Sequence, residues 1–401
     1  MFDRVETAPT DAILGLSEAF KKDPNPEKIN LSVGVYQDER ATTPTLDSVI
    51  RAEQRMLEQQ ASKAYLPIPG PPEFAAAVQR LLWDDDHEAI AAGRVATSQT
   101  PGGTAALRVA GDFIKQNLPH ATLWMSRPTW PNHSGVFDAA GVPTRLYAYF
   151  DESTNDLDEE AMLADLGQAS PGDIVLLHAC CHNPTGIDPS PEMWQRIAAT
   201  LRERQLMPLI DFAYQGFADG LHEDAAGLRE LTAAGTEMIV CSSFSKNFGL
   251  YSERVGALSI LAADAEAVQR VQSQVKLCIR ANYSNPPAHG GRIVTTVLED
   301  PGLTKQWIGE VAQMRERING TRRTFVEALA DTGIRRDFSF ITRQRGMFSF
   351  SGLTPQQVDA LRDQYAIYIV RSGRINVAGI TRANVQRLAM AIADVVQSSG
   401  S

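Results

Sequence analysis

The chain has 401 residues, of which 43% are hydrophobic and 21% are charged, so it is not a collagen, a coiled coil or a disordered protein. The 38 basic and 48 acidic residues give a net charge of −10, which argues against a nucleic-acid partner. No apolar run reaches the roughly 18 residues that a membrane span requires. The four cysteines are too few for a disulfide scaffold, and the acidic start lacks a signal-peptide pattern. We therefore expect a soluble, cytoplasmic protein.

The first two thirds of the chain predict strands that alternate with helices. A helical pattern covers residues 11–20, and an extended stretch covers residues 29–35. Several later strands are apolar throughout rather than alternating, as is typical of strands that are covered on both faces. The predicted strands are 121–125, 144–150, 173–178, 207–212, 238–242 and 257–261. This pattern predicts an α/β fold with a mostly parallel central sheet and helices on both faces.

The last part of the chain predicts a smaller α+β domain. A long helix is expected beyond about residue 315, followed by short strands at 346–350, 367–370 and 374–377 and by a closing helix. Ser190-Pro191 and Thr354-Pro355 are typical of an N-cap followed by proline in the first helical turn. We expect residues 1–45, an N-terminal arm and the first part of the small domain, to pack with residues 315–401. Residues 46–314 would form the large domain.

A lysine in a loop after an apolar strand is the strongest local signal. Lys246 follows the strand at 238–242, is preceded by Ser243 and Ser245, and stands before Arg254. A lysine at a strand exit could form a Schiff base, and the hydroxyl groups and the arginine could bind a phosphate. Taken alone, the segment is explained equally well by a solvated loop with a surface lysine.

Two other motifs are consistent with binding at the predicted central sheet, the first of an anion and the second of a ligand. Gly102-Gly103-Thr104 precedes a helical pattern, and backbone N–H groups at a helix start favour an anion. Asp211 lies near the carboxyl end of the strand at 207–212, where α/β proteins bind ligands. Each pattern also occurs without a ligand, as an ordinary helix start or a turn cap.

Residues 178–182 contain two histidines and two cysteines and look like a metal site. Zinc sites usually pair such a cluster with a second one, and Cys241 and Cys278 do not have ligand spacing. His178 and Cys180 have the alternation of a strand that packs into a core. We therefore expect no metal.

Taken in order, these motifs resemble the class I pyridoxal-phosphate-dependent aminotransferases, in the branch that acts on aspartate and aromatic amino acids. The resemblance runs from residues 30–36 to residues 372–377. Its most specific blocks are 181–186, 211–217, 243–254 and 280–289. The resemblance implies the type I fold of this enzyme class, pyridoxal 5'-phosphate as cofactor, and a homodimer with shared active sites. It also implies cis bonds before Pro128 and Pro184.

The resemblance implies a role for each residue around the cofactor. Lys246 would hold the cofactor as a Schiff base and then act as general acid and base, and Asp211 would pair with the pyridine nitrogen. Asn183 and Tyr214 would bond the phenolic oxygen, which lowers the pKa of the imine. The other implied cofactor contacts are ring stacking by Trp130, support of Asp211 by His133, and phosphate binding by Gly103, Thr104, Ser243, Ser245, Arg254 and the neighbouring subunit's Tyr65.

The substrate residues implied by the resemblance include two arginines. Arg374 would clamp the α-carboxylate bidentately, a geometry that lysine cannot reproduce. Arg280, from the partner subunit, would pair with the side-chain carboxylate of a dicarboxylic substrate; otherwise each arginine would be a surface ion pair. The remaining implied substrate contacts are Gly34, Trp130 and Asn183.

The residues around the predicted substrate pocket favour two different classes of substrate. Gln37 and Ala64 replace a lysine and an asparagine that are frequent in aspartate-selective relatives, and the loss of polar groups lowers the cost of admitting an aromatic side chain. Thr104 and Asn285, in contrast, look aspartate-like.

We therefore expect an enzyme that moves the amino group of L-aspartate to 2-oxoglutarate through a pyridoxamine phosphate form, by a ping-pong mechanism. Aromatic L-amino acids could also serve as donors in this interpretation, and they are the main donors in the alternative one. A β-decarboxylase on the same fold and a non-catalytic ligand-binding protein stay open as further alternatives. Intact Lys246 and Asp211 argue against the last of these.

Overall fold

A computed structural model describes residues 1–8, 14–59, 62–84 and 86–398. The chain divides into two compact units. The large unit is Pro44–Glu316, and the small unit combines Met1–Thr43 with Arg317–Ser401. Within the described residues, no helix has the length and apolar character needed to cross a membrane.

The described residues form the following helices and strands. The helices are α1 (Leu14–Lys22), α2 (Asp47–Gln59), α3 (Pro72–Trp83), α4 (Glu88–Ala91), α5 (Gly103–Asn117), α6 (Asn132–Ala140), α7 (Glu159–Leu166), α8 (Pro191–Arg204), α9 (Ala226–Ala233), α10 (Ala265–Asn282), α11 (Ala288–Glu299), α12 (Pro301–Asp331), α13 (Pro355–Tyr365) and α14 (Val385–Ser398). The strands are β1 (Ile29–Asn30), β2 (Val95–Thr100), β3 (Leu123–Arg127), β4 (Thr144–Ala148), β5 (Phe150–Asp151), β6 (Asp156–Leu157), β7 (Ile174–His178), β8 (Met207–Phe212), β9 (Met238–Ser243), β10 (Gly256–Leu261), β11 (Phe348–Phe350), β12 (Ile367–Tyr368) and β13 (Arg374–Asn376). Short 3-10 helices lie at Phe2–Arg4, Glu223–Ala225, Ser339–Arg343 and Val377–Gly379.

A seven-stranded sheet in the order β2-β10-β9-β8-β7-β3-β4 forms the centre of the large unit. β10 is antiparallel to both of its neighbours, and the other neighbouring pairs are parallel. Every residue of β7, β9 and β10 is buried, so both faces of these strands are covered. One core cluster joins these strands to the apolar faces of α5, α6 and α10. The prediction of an α/β fold with a mostly parallel sheet is confirmed.

The edge strand β2 was not predicted, because its sequence is mostly polar. Thr97, Ser98, Gln99 and Thr100 are nevertheless buried. Their side chains are hydrogen-bonded: Thr97 Oγ1 lies 2.8 Å from Ser259 Oγ, and Gln99 Nε2 donates to the Pro287 carbonyl at 2.7 Å. Bonded polar groups can be buried at low cost, and hydropathy does not detect such a strand.

Other predictions hold with corrected boundaries. The strand predicted at 144–150 ends at Ala148, and Phe150–Asp151 pairs instead with β6. Part of the helix predicted at 11–20 is observed as α1, while residues 11–13 lie outside the described residues. The helix starts at Ser190 and Thr354 are confirmed, since each side chain accepts a backbone N–H of the first turn. The bonds before Pro128 and Pro184 are cis, as expected.

The small unit contains both ends of the chain. β1 is parallel to β12, and β11 is antiparallel to β13. The extended stretch predicted at 29–35 is therefore a strand over only two residues. The long helix expected after residue 315 begins earlier, at Pro301, and its first half belongs to the large unit.

Candidate active site

Three side chains with acid–base chemistry lie at the carboxyl edge of the large sheet. Asp211 is near the end of β8, Tyr214 follows two residues after that strand, and Lys246 lies in the turn after β9. β8 and β9 are parallel neighbours, so the loops that follow them leave the same edge. Lys246 Nζ lies 4.9 Å from the centre of the Tyr214 ring.

Asp211 is a buried carboxylate held by histidines. Its Oδ2 lies 3.1 Å from Nε2 of His133, whose Nδ1 lies 2.8 Å from Oγ1 of Thr129. Burial by itself would raise the pKa of Asp211, but the hydrogen bond and charge of His133, together with His178 and Lys246, outweigh burial and lower it. Asp211 is therefore an ionised carboxylate in a mostly dry site, suited to pair with a cationic ring nitrogen.

His178 lies beside Asp211, and the His182 ring lies next to the His178 ring at a centroid distance of 4.3 Å. His178 Nε2 is 3.9 Å from Asp211 Oδ2, and burial lowers the pKa of His178 to about 3, so its ring is neutral at ordinary pH. Burial also holds the pKa of His182 well below its ordinary value. Both ring nitrogens of His182 are hydrogen-bonded, to Ser126 at 2.9 Å and to Thr185 at 2.8 Å. Both nitrogens of His182 are thus occupied by bonds within the protein, and these bonds fix the orientation of its ring.

Lys246 is a partly buried amine with a lowered pKa. Burial lowers its pKa from an ordinary 10.5 to about 8, while the negative charge of Asp211 opposes this effect and the positive charge of Arg254 adds to it. At pH 7.5 such a pKa leaves about a quarter of the amine groups neutral, against about one in a thousand at the ordinary value. The site therefore provides a nucleophile and base near neutral pH.

The start of α5 and the loop after β9 form an anion cradle, defined here as Gly102, Gly103, Ser243, Ser245 and Arg254. Gly102 has a φ of +84°, and a Cβ atom there would lie 2.5 Å from Arg254 Nη2. Gly102, the N-cap residue of α5, has no side chain that could cap the first N–H groups of the helix. The Ser243 and Ser245 hydroxyls lie 3.2 Å apart, and Arg254 Nη1 donates to Ser245 Oγ at 3.4 Å. Helix N–H groups, hydroxyls and a guanidinium in one place suit a phosphate. Thr104 is the second residue of α5, next to the cradle.

Trp130 and Asn183 complete the predicted set in the large unit. The partly buried Trp130 ring meets the His133 ring edge-on at a centroid distance of 5.2 Å. Asn183 is buried in the loop after β7. Asp188 fixes this loop by accepting the backbone N–H groups of Cys181 at 2.7 Å and His182 at 2.8 Å.

Two predicted site residues are exposed on the surface of this chain. The Tyr65 side chain is 93% exposed. Arg280 is exposed at the end of α10 and bonds Ser284 Oγ. Within a single chain, the structure does not place either residue beside Lys246.

The predicted carboxylate clamp belongs to the small unit. Arg374 is buried, and its Nη2 donates to the Ser32 carbonyl at 2.6 Å. Its guanidinium carbon lies 4.2 Å from the centre of the Phe348 ring. Gly34 contacts the same ring so closely that a Cβ atom there would lie 2.8 Å from Phe348 Cζ. Arg374 and Gly34 thus both pack against the ring of Phe348.

Sequence reasoning missed two contributors to the site. Gly102 was noticed only as part of a glycine pair, although its conformation is what lets Arg254 approach. His178 was interpreted as a core residue, yet it is paired in register with Asp211 across β7 and β8. Parallel neighbouring strands that both carry a polar residue near the carboxyl end could have revealed His178.

The chain was compared with protein families, curated proteins and solved structures. The family described as Aminotransferase class I and II matches residues 26–392. The aspartate aminotransferase of Salmonella typhi is 54% identical over 396 residues, covering 99% of this chain and 100% of its own. The aromatic-amino-acid aminotransferase of Pseudomonas aeruginosa is 49% identical, covering 98% of both chains. The crystal structure of an aromatic-amino-acid aminotransferase from Burkholderia pseudomallei covalently bound to pyridoxal phosphate has a TM-score of 0.96 at 49% identity, covering 98% of this chain and 99% of that chain. Since these matches span nearly the full length, the chain belongs to the class I and II aminotransferases.

Proposed function

We propose that this enzyme transfers the amino group of L-aspartate to 2-oxoglutarate in a ping-pong reaction with pyridoxal 5'-phosphate as its cofactor. The observation that carries the proposal is the set of Lys246, Asp211 and the anion cradle at one sheet edge. Aspartate aminotransferases at 54% and 52% identity over 396 residues support the choice of aspartate.

The residues present fit this cofactor. The anion cradle suits its phosphate, since Gly102 leaves the space into which Arg254 extends. Lys246 has the lowered pKa that Schiff-base formation with an aldehyde requires. The ionised Asp211 suits the ring nitrogen, while Trp130, Asn183 and Tyr214 would contact the ring and its phenolic oxygen. When bound, pyridoxal phosphate supplies an aldehyde that captures the amino group and a ring that takes up electrons from the broken Cα–H bond.

Lys246 has two roles in this proposal, both at Nζ. It holds the cofactor covalently at rest, and once released its neutral amine takes the proton from the substrate Cα. The Tyr214 ring beside Nζ and the burial of the site keep bulk water from that proton. Asp211, with His133 behind it, keeps a positive charge stable on the ring nitrogen.

Two arginines bind the carboxylates of the substrate in this proposal. Arg374 forms the bidentate pair with the α-carboxylate, and Gly34 packs on the Phe348 ring that also contacts the Arg374 guanidinium. Arg280 and Tyr65 act across the interface of a cytoplasmic homodimer, which is consistent with their exposure in a single chain. A dicarboxylic donor and acceptor would both satisfy Arg280.

Transfer from aromatic L-amino acids is the second candidate. Gln37 and Ala64 carry no charge, so neither disfavours an aromatic ring. The aromatic-amino-acid aminotransferase of Pseudomonas aeruginosa is 49% identical to this chain, which supports the same candidate.

Steady-state kcat/KM values for aspartate and phenylalanine, each with 2-oxoglutarate, test the proposal. A large preference for aspartate is expected if the charge pair of Arg280 sets specificity. Comparable values would support the aromatic candidate. An absence of turnover with both donors would refute the proposed reaction and favour another fate of the bound amino acid, such as β-decarboxylation, which carbon dioxide release would detect.

A further inference from the structure

The loops that carry Lys246 and Tyr214 extend beyond the end of the sheet. The paired register of β8 and β9 ends at Phe212 and Ser242. Tyr214 lies two residues beyond this last pair, and Lys246 lies four residues beyond it. The ladder of the sheet therefore does not hold the two side chains at their separation of 4.9 Å.

A side-chain amide links the two loops directly. Asn247 Nδ2 donates to the backbone carbonyl of Gln215 at 3.3 Å, and both residues are buried. Asn247 follows Lys246 in the chain, and Gln215 follows Tyr214. The link therefore joins the immediate neighbours of the two functional residues.

The amide of Asn247 is only half satisfied. Its Oδ1 is buried and has no hydrogen-bond partner among the residues that the structure describes. A buried unpaired acceptor costs folding free energy, so Oδ1 does not stabilise this segment. What the amide provides at this position is its Nδ2 donor.

Helix α12 supports both loops from behind. Trp307 Nε1 donates to the Asn247 carbonyl at 2.8 Å, and its ring stacks on Phe248 at a centroid distance of 4.4 Å. Eight residues along the same helix, Arg315 Nη1 donates to the Gly216 carbonyl at 2.9 Å. One rigid element thus holds both sides of the Asn247 link.

We infer that Asn247 is a positioning residue that fixes the Lys246 amine against the Tyr214 ring by tying their two loops together. The inference rests on the proposed roles of Lys246 and Tyr214. Without the link, the two loops shift relative to each other between their anchors on α12, water enters beside Nζ, and the amine is displaced from the proton that it takes. A small displacement of a catalytic group lowers the rate of the chemical step more than substrate affinity.

The test is Asn247→Ala in the full chain, with two measurements. In cofactor-free protein, the reactivity of Lys246 with trinitrobenzenesulfonate is followed by peptide mass spectrometry from pH 6 to pH 10. In holoenzyme, kcat and KM are measured for aspartate. We expect the midpoint of Lys246 reactivity to move from about 8 toward the ordinary 10.5, because water reaches the amine. We also expect kcat to fall about tenfold or more, with KM changed less.

Gln79→Ala is the matched control. Gln79 Nε2 also donates to a backbone carbonyl, that of Val95, at 3.4 Å. Val95, however, is the first residue of β2 and lies at its amino end, away from the carboxyl edge that carries Lys246. This control should leave both measurements unchanged. A folded Asn247→Ala protein with unaltered Lys246 reactivity and kcat would overturn the inference. The reactivity measurement needs no turnover, so it remains decisive even if the proposed reaction is wrong.

Asn247→Leu provides a second variant in case Asn247→Ala does not fold, as judged by circular dichroism. Leucine has a similarly branched side chain that fills the space of the amide and lacks the Nδ2 donor to the Gln215 carbonyl. We expect the same direction of change in Lys246 reactivity. An unchanged Lys246 profile in a folded Asn247→Leu protein would overturn the inference.

Discussion

Gly102→Ala tests whether the anion cradle binds a phosphate. Gly102 has a φ of +84° and a ψ of 172°, a region almost restricted to glycine, so alanine there costs about 1–3 kcal/mol of backbone strain. The added Cβ would also lie 2.5 Å from Arg254 Nη2, and the guanidinium must move. A charge-assisted hydrogen bond contributes about 1.5–3 kcal/mol, so we expect affinity for pyridoxal phosphate to fall about 10- to 150-fold.

Absorbance titration of cofactor-free protein measures this loss. Pyridoxal, which has the aldehyde and lacks the phosphate, is the reference ligand, and its affinity should change little. Gly172→Ala is the control variant, because Gly172 has a φ of +88° and no atom of the described residues lies within 4 Å of an added Cβ. If Gly102→Ala weakens pyridoxal and pyridoxal phosphate equally, the cradle does not recognise the phosphate and the reasoning is wrong.

Three other outcomes follow from the site. Lys246→Ala should abolish steady transamination and leave the thermal unfolding midpoint within a few degrees of wild type; near-normal turnover would contradict the assigned role. Arg280→Ala should lower kcat/KM about 100-fold more for aspartate than for phenylalanine, because only aspartate then has an unpaired carboxylate, and equal losses would exclude this charge pair. In cofactor-free protein, Lys246 should gain reactivity toward amine reagents as pH rises through about 8, since deprotonation produces the reactive form. A midpoint near the ordinary 10.5 would show that the amine is not desolvated.

The positions of Lys246 and Asp211 could be predicted from the sequence because apolar strands precede them. The carboxyl ends of parallel strands meet at one edge, so two strand ends already place the two side chains together. The start of α12 could also have been predicted. Asp300 precedes Pro301 and accepts the Leu303 N–H at 2.8 Å, which is the same cap-and-proline pattern seen at Ser190.

Other features depend on contacts between distant parts of the chain. The approach of Arg254 to Gly102 follows from the register of β10 against β2, in which Gly256 pairs with Thr100. Hydropathy did not reveal β2, so this pairing could not be deduced. The link from Asn247 to Gln215 uses a backbone carbonyl, an acceptor present at every position and therefore without a sequence signal.

The polar character of β2 matters while the protein is being synthesised. Among the described strands of the large sheet, β2 pairs with β10 alone, so it leaves the ribosome long before this partner strand exists. An unpaired apolar strand would be prone to association with other nascent chains, whereas hydroxyl and amide side chains keep this segment hydrated. The register of β10 against β2 also brings Arg254 to Gly102, so the anion cradle is complete only once β10 has docked. If the cradle binds the cofactor phosphate as proposed, chains that end before residue 256 should not retain the cofactor, and its capture would mark completion of the sheet.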